Sequence, residues 1–130
     1  DLGQLVNGKL ELLGRADDVI ISGGENISSF SIANVITGEF PKLRDVEVVG
    51  WPDAEWGQVV CVAISGDGQS AGIIGPQVER LIRRELGSVF VPRYVVALKR
   101  FPQLSNGKVD RRALFATIGT KISKKEAWER

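Results

Sequence analysis

The chain contains no histidine and a single cysteine, Cys61. These two shortages remove a zinc site of the Cys/His kind and a Ser-His-Asp relay, because the parts are missing. Cys61 has no partner for a disulfide within the chain. It sits inside the apolar run Val59 to Ile64, so it reads as a small buried hydrophobe and not as a nucleophile or metal ligand. Charge of one sign is also lacking. Seventeen Lys and Arg face sixteen Asp and Glu, a formal net charge of +1. The basic field that nucleic acid demands is therefore absent. No apolar run approaches the length needed to span a bilayer. No charged-then-apolar signal opens the sequence, so the chain is expected to be cytoplasmic. Any chemistry must rest on Lys, Arg, Asp, Glu, hydroxyls and backbone N–H groups.

What is present fits one ordinary globular domain. The 130 residues are 43% hydrophobic and 25% charged, both near the average for folded proteins. The first 22 residues read as paired strands, with Asn7-Gly8 as a tight turn, Leu10 to Leu13 as one strand and Val19-Ile20-Ile21 as a β-branched run. The paired glycines of Ser22-Gly23-Gly24-Glu25-Asn26 break that pattern and are able to take positive φ. Ser28 or Ser29 is placed to cap a helix running to about Thr37, with Phe30, Ala33, Ile36 and Phe40 along one face. Val46 to Gly50 and Gln58 to Ser65 read as strands joined by the loop Trp51 to Gly57.

Pro76 predicts the first turn of an amphipathic helix reaching about Leu86, with Val78, Leu81, Ile82 and Leu86 inward and Gly87 as its stop. Tyr94 to Leu98 reads as a last strand. Ser105-Asn106-Gly107 reads as a turn, and Asp110 as the cap of a short helix holding Ala113, Leu114 and Ile118. The charged stretch from Lys121 to Arg130 has the look of a frayed tail or short terminal helix. Irregular alternation of strands and helices predicts an α+β domain with a small mixed sheet, flanking helices and an N-terminal β-hairpin.

Three polar clusters carry candidate chemistry. Gly14-Arg15-Ala16-Asp17-Asp18 puts a guanidinium and two carboxylates in a turn, suited to phosphate or ribose hydroxyls. Ser22 to Asn26 offers glycines that let a backbone approach a ligand closely. Asn106-Gly107-Lys108-Val109-Asp110 presents a lysine directly after a turn. Each also reads as an ordinary turn. Gly107-Lys108 is not a nucleotide P-loop, since no glycine precedes it at the required spacing and Val109 stands in place of Ser/Thr.

Taken together and in order, these clusters carry a resemblance. Gly14 to Ile27 resembles the hinge motif of adenylate-forming enzymes: acyl-CoA synthetases, peptide-synthetase adenylation domains and luciferases. Pro102 to Arg111 is similar to their last motif, and Asp1-Leu2-Gly3 to the end of the motif that closes their large domain. The resemblance implies a mobile C-terminal cap domain over residues 17–118. Residues 1–16 would be the end of the large-domain segment and the approach to the hinge, and 119–130 a charged tail.

The family activates a carboxylate with ATP to an acyl-adenylate, releases pyrophosphate and passes the acyl group to a thiol. By resemblance, Lys108 contacts the carboxylate and phosphate oxygens during adenylation, where a compact flexible ammonium can follow developing charge. Asp1 and Arg15 would hold the nucleotide, and Asp17 would be the hinge residue between two orientations of the domain. In the second orientation the Gly23-Gly24 loop would replace Lys108 and line a pantetheine tunnel. Trp56 and Arg93 would hold the adenine ring and a phosphate of CoA; alternatively they are a partly buried loop aromatic and a solvated charge.

ATP and CoA would be substrates, and the Mg2+ expected with ATP would find its ligands outside this chain. The expected partner is the large N-terminal adenylation domain of the same polypeptide, without which the chain would be inactive. The sequence departs from the family pattern at Ser29, Ser31 and Ala33, where Pro and Glu-x-Glu are common, and at Val91, where a basic residue often precedes the proline. Ile20 to Asn26 resembles the CoA-ligase branch, including o-succinylbenzoate and benzoate ligases. Alternatives are a peptide-synthetase adenylation subdomain and a non-catalytic binding domain that kept the fold.

Overall fold

The computed structural model describes residues 18–66 and 68–130. The expected strand at Leu10 to Leu13, the Asn7-Gly8 turn, and Asp1, Arg15 and Asp17 lie outside the described residues. Among the described residues, six strands and three α-helices follow in the order β1 (Val19–Ser22), β2 (Glu25–Ser28), α1 (Ser29–Glu39), β3 (Asp45–Asp53), β4 (Gly57–Ser65), α2 (Ala71–Glu85), β5 (Tyr94–Leu98), α3 (Arg111–Ser123) and β6 (Trp128–Glu129), with a single 3-10 turn at Ser88–Phe90 before β5. The sheet is mixed: β4 and β5 are parallel and every other pairing is antiparallel. This is the expected α+β class, and the hairpin it shows is β1–β2, turned at Gly23-Gly24.

β4 is the axis of the domain. β3 pairs with it along its whole length, while its other edge meets β1 at Ser22↔Gly57 and β5 from Cys61 to Ser65. Its run Val59 to Ser65 is buried without a break, because helices cover both faces. Val60, Val62 and Ile64 join Ile32, Ile36, Ile74, Val78 and Ile82 from α1 and α2. Cys61 and Ala63 join Val96, Phe101, Leu114 and Ile118 on the α3 side. Period-2 alternation thus feeds two cores from one apolar strand.

The helices show where sequence periodicity misleads. Ser28 caps α1 by accepting from Ser31 N–H (3.1 Å), but Phe30 faces solvent at 55% exposure, contrary to expectation. The buried Ser29 Oγ donates to the Asp18 carbonyl (2.8 Å), which fixes the first turn so that Ser29, Ile32 and Ile36 point inward. α2 starts at Ala71, not at Pro76, since the Ser70 carbonyl already accepts from the Ile73 and Ile74 N–H groups. An interior proline costs about 3 kcal/mol. Burying Ile74, Val78, Leu81 and Ile82 contributes roughly 1.5–3 kcal/mol each and outweighs it.

The C-terminal stretch is not frayed. α3, capped by Asp110 Oδ1 on Ala113 N–H (3.1 Å), runs to Ser123, and β6 then pairs with β5 through Tyr94↔Glu129 and Val95↔Trp128. Trp128 packs against α2, so residues expected to form a loose charged tail close the sheet instead. The strands around Trp51 also run further than the sequence indicated. Trp51-Pro52-Asp53 belongs to β3, because Asp53 Oδ2 accepts from the Glu55 and Trp56 N–H groups and tightens the hairpin turn.

Candidate functional site

Gly23 and Gly24 form the β1–β2 turn with φ of 57° and 84°. The turn is clamped across the sheet: Gly23 N–H donates to the Trp56 carbonyl (2.9 Å), and Ile21 N–H donates to Gln58 Oε1 (2.8 Å). The two glycines are required for different reasons. A Cβ on Gly23 would fall 2.6 Å from Trp56 Cζ3, so the indole occupies that space. A Cβ on Gly24 would meet nothing within 4 Å; inside this domain only its backbone conformation calls for glycine.

Trp56 therefore lies against the glycine turn with 46% of its surface exposed. Asp53, whose carboxylate holds the Trp56 turn, also faces Arg93 Nη1 across 3.8 Å. Gly23, Trp56 and Arg93, which are far apart in sequence, thus line one open groove of about 500 Å³. Val59, Val60 and the buried Val91 form its apolar wall, Ser22, Ser88 and Val89 its rim, and Glu25 and Arg130 bring further charge. Apolar and polar side chains share the lining, with charge concentrated at Glu25, Arg93 and Arg130.

Lys108 does not line this groove. It sits in a small hairpin after β5, where Leu104 N–H donates to the Lys108 carbonyl (2.7 Å) and Gln103 bridges Val109. Gly107 takes φ 86°, and the Asn106 side chain accepts from the Lys108 N–H (3.0 Å). The backbone is tied down on both sides of an exposed side chain. The chain reaches this hairpin from the Leu98↔Ser65 end of the β4–β5 pair, whereas the glycine turn adjoins Gly57 at the other end of β4. A nine-residue strand separates those ends by ~26 Å. The structure therefore unites Gly23, Trp56 and Arg93 and sets Lys108 apart from them.

Sequence reasoning missed Arg130 and Asp53. Arg130 falls in the charged stretch that ends the sequence, and a two-residue strand such as β6 has no periodicity to announce it. Asp53 had a readable signal, an aspartate opening a turn ahead of Trp56. Cys61 is fully buried and its thiol is pushed up to about 12 by desolvation, which keeps it protonated and inert. Among the described residues no group of His, Cys, Asp and Glu is placed to hold a metal ion.

The fold belongs to a known class. Residues 35–108 match the AMP-binding enzyme C-terminal domain, and the chain belongs to that family. Among curated relatives, the 2-succinylbenzoate–CoA ligase of Lactococcus lactis is 33% identical over 115 residues, covering 88% of this chain and 24% of the relative. The peroxisomal benzoate–CoA ligase of Arabidopsis thaliana is 34% identical over 113 residues, covering 79% of this chain and 19% of the relative. A solved fatty acyl CoA synthetase of Mycobacterium tuberculosis superposes with a TM-score of 0.69 at 28% identity, over 82% of this chain and 21% of that one. The chain spans 19% to 24% of the length of these relatives.

Proposed function

We propose that the chain is the C-terminal domain of an ATP-dependent, AMP-forming acyl- or aryl-CoA ligase and is inactive without its large domain. The parent enzyme would join a carboxylate to ATP, releasing pyrophosphate, and then transfer the acyl group from AMP to the thiol of CoA. One observation supports this above others. The groove uniting Gly23, Trp56 and Arg93 and the hairpin carrying Lys108 leave opposite ends of β4. Two half-reactions served by two surfaces of one rotating domain need that separation.

In this reading Lys108 acts in adenylation, stabilising charge that develops on the carboxylate and α-phosphate oxygens. Asp1 and Arg15 hold the nucleotide, and Asp17 is the hinge about which the domain turns. Gly24 then lines the pantetheine path: a Cβ there is free within this domain, so the constraint on its size falls on what docks against it. Trp56 and Arg93 receive the nucleotide end of CoA by stacking and charge. Mg2+ would accompany ATP in the large domain.

For the acyl group the favoured reading is o-succinylbenzoate, the substrate named for relatives from Lactococcus lactis and Listeria that align over 88% of this chain. That would place the parent enzyme in menaquinone synthesis and in the cytoplasm. The test is pyrophosphate exchange and CoA-thioester formation by the full-length parent against aryl, succinylbenzoyl, fatty and amino acids. A CoA thioester of one aryl acid is the expected result. Exchange with an amino acid and no CoA product would move the protein to the peptide-synthetase branch.

A further inference from the structure

Arg93 precedes β5 and Arg130 follows β6. Arg130 N–H donates to the Arg93 carbonyl (2.8 Å), continuing the register Tyr94↔Glu129 and Val95↔Trp128 by one pair. The two arginines therefore stand opposite one another, and side chains opposed in an antiparallel pair project from the same face of the sheet. Both line the groove beside Trp56.

Opposed like charges destabilise a sheet unless something neutralises them. Asp53 does so for Arg93 in part, at 3.8 Å, while its other oxygen is engaged by the Glu55 and Trp56 N–H groups. Arg130 has no acidic partner among the described residues, and Glu25, the other charge on the groove, pairs with neither arginine. A desolvated apolar wall at Val60 and Val91 would strengthen any charge pairing made there.

We propose that Arg130 binds a phosphate at the nucleotide end of CoA, forming with Arg93 a two-pronged guanidinium clamp beside the Trp56 indole. This rests on the CoA-ligase reading above. The strand β6 then has a function besides closing the sheet, since its pairing with β5 sets the spacing of the two prongs. A guanidinium suits the task because its planar fork matches phosphate oxygens bidentately.

The test uses the full-length enzyme and supplied acyl-adenylate, with thioester formation followed against CoA, 3′-dephospho-CoA and pantetheine. Arg130→Ala should raise KM for CoA about tenfold, the loss of one charge-assisted hydrogen bond, with kcat little changed. KM for pantetheine should not move, and Arg130→Lys should recover part of the loss. If 3′-dephospho-CoA is spared, the contact is the 3′-phosphate; if it is weakened as CoA is, the contact is the diphosphate, and both results support the clamp. An unchanged KM for CoA, or equal losses toward CoA and pantetheine, would overturn it. A wild-type enzyme that forms no CoA thioester would overturn the ligase reading itself, and that failure shows before any variant is made.

Discussion

Trp128 of β6 occupies the space that a side chain on Gly75 of α2 would need: a Cβ built there would lie 2.5 Å from Trp128 Cδ2 and 2.7 Å from its Cβ. The last strand is thereby keyed into the helix that covers one core. Alanine is intrinsically better than glycine in a helix by about 1 kcal/mol. Overpacking here should reverse that preference, since forcing a methyl into a filled site costs roughly 1–3 kcal/mol. Gly75→Ala is therefore expected to destabilise the domain. In a Trp128→Ala background the ring is gone and only the retained Cβ, 2.7 Å away, opposes the methyl, so the same change should cost less. Urea unfolding of the four proteins of that cycle compares the two costs, and additive effects would mean that helix and strand do not interlock.

The buried thiol gives a second expectation. Cys61 faces the α3 core, and burial raises its pKa from 9.0 to about 12. The unfolded thiol ionises first as pH rises, so the stability tied to the buried neutral thiol is whole below about 9 and is lost progressively towards 12. A thiol reagent at pH 8 should leave the native domain unlabelled and label it stoichiometrically in denaturant. Rapid native labelling would mean that the α3 side opens far more often than its packing allows. Cys61→Ser, which keeps the size but buries a hydroxyl, should cost about 1–3 kcal/mol.

Much of the fold was legible because local and tertiary signals agree. Asp110 caps where the sequence placed it, Gly87 ends α2 with φ 102°, and the apolar run Val59 to Ile64 is the central strand. The misreadings share a cause, which is that long-range contacts outrank local rules. Phe30 turned outward because Ser29 is held by Asp18. Pro76 sits inside α2 because Ile74, Val78, Leu81 and Ile82 of that helix are buried. The stretch 119–130 looked loose because a two-residue strand has no periodicity to read, yet Trp128 finds its place against Gly75. At the candidate site, Gly23, Trp56 and Arg93 were nameable one by one. Their convergence depends on β1, β4 and β5 meeting along one edge, which only the register shows.

The glycine turn separates two roles that sequence alone blends. Both residues have positive φ, so any substitution carries a backbone cost of about 1 kcal/mol. Gly23→Ala should exceed that cost, because the methyl meets the Trp56 ring, and Trp56→Ala should relieve the excess. Gly24→Ala should cost no more than the backbone term, since its Cβ projects into open space. Thermal or urea denaturation of the domain distinguishes the two. Equal losses at both positions would show that Trp56 is not packed on the turn.

The strongest functional contrast pits the two ends of β4 against each other in the full-length enzyme. Lys108→Ala removes an exposed ammonium from a hairpin whose backbone bonds remain, so the domain should keep its stability. If Lys108 stabilises the adenylation transition state, its loss should slow acyl-adenylate formation by ~10²–10³-fold, the range for one preorganised electrostatic contact. Thioester formation from supplied acyl-adenylate should be spared. Gly24→Leu should do the opposite, leaving pyrophosphate exchange within a few fold of wild type while obstructing thiol transfer. Each variant serves as the folding control for the other, since a misfolded domain would lose both steps. Loss of both steps in each variant would argue that a single orientation of the domain serves the whole reaction, and the separation of Lys108 from the groove would then have no functional meaning.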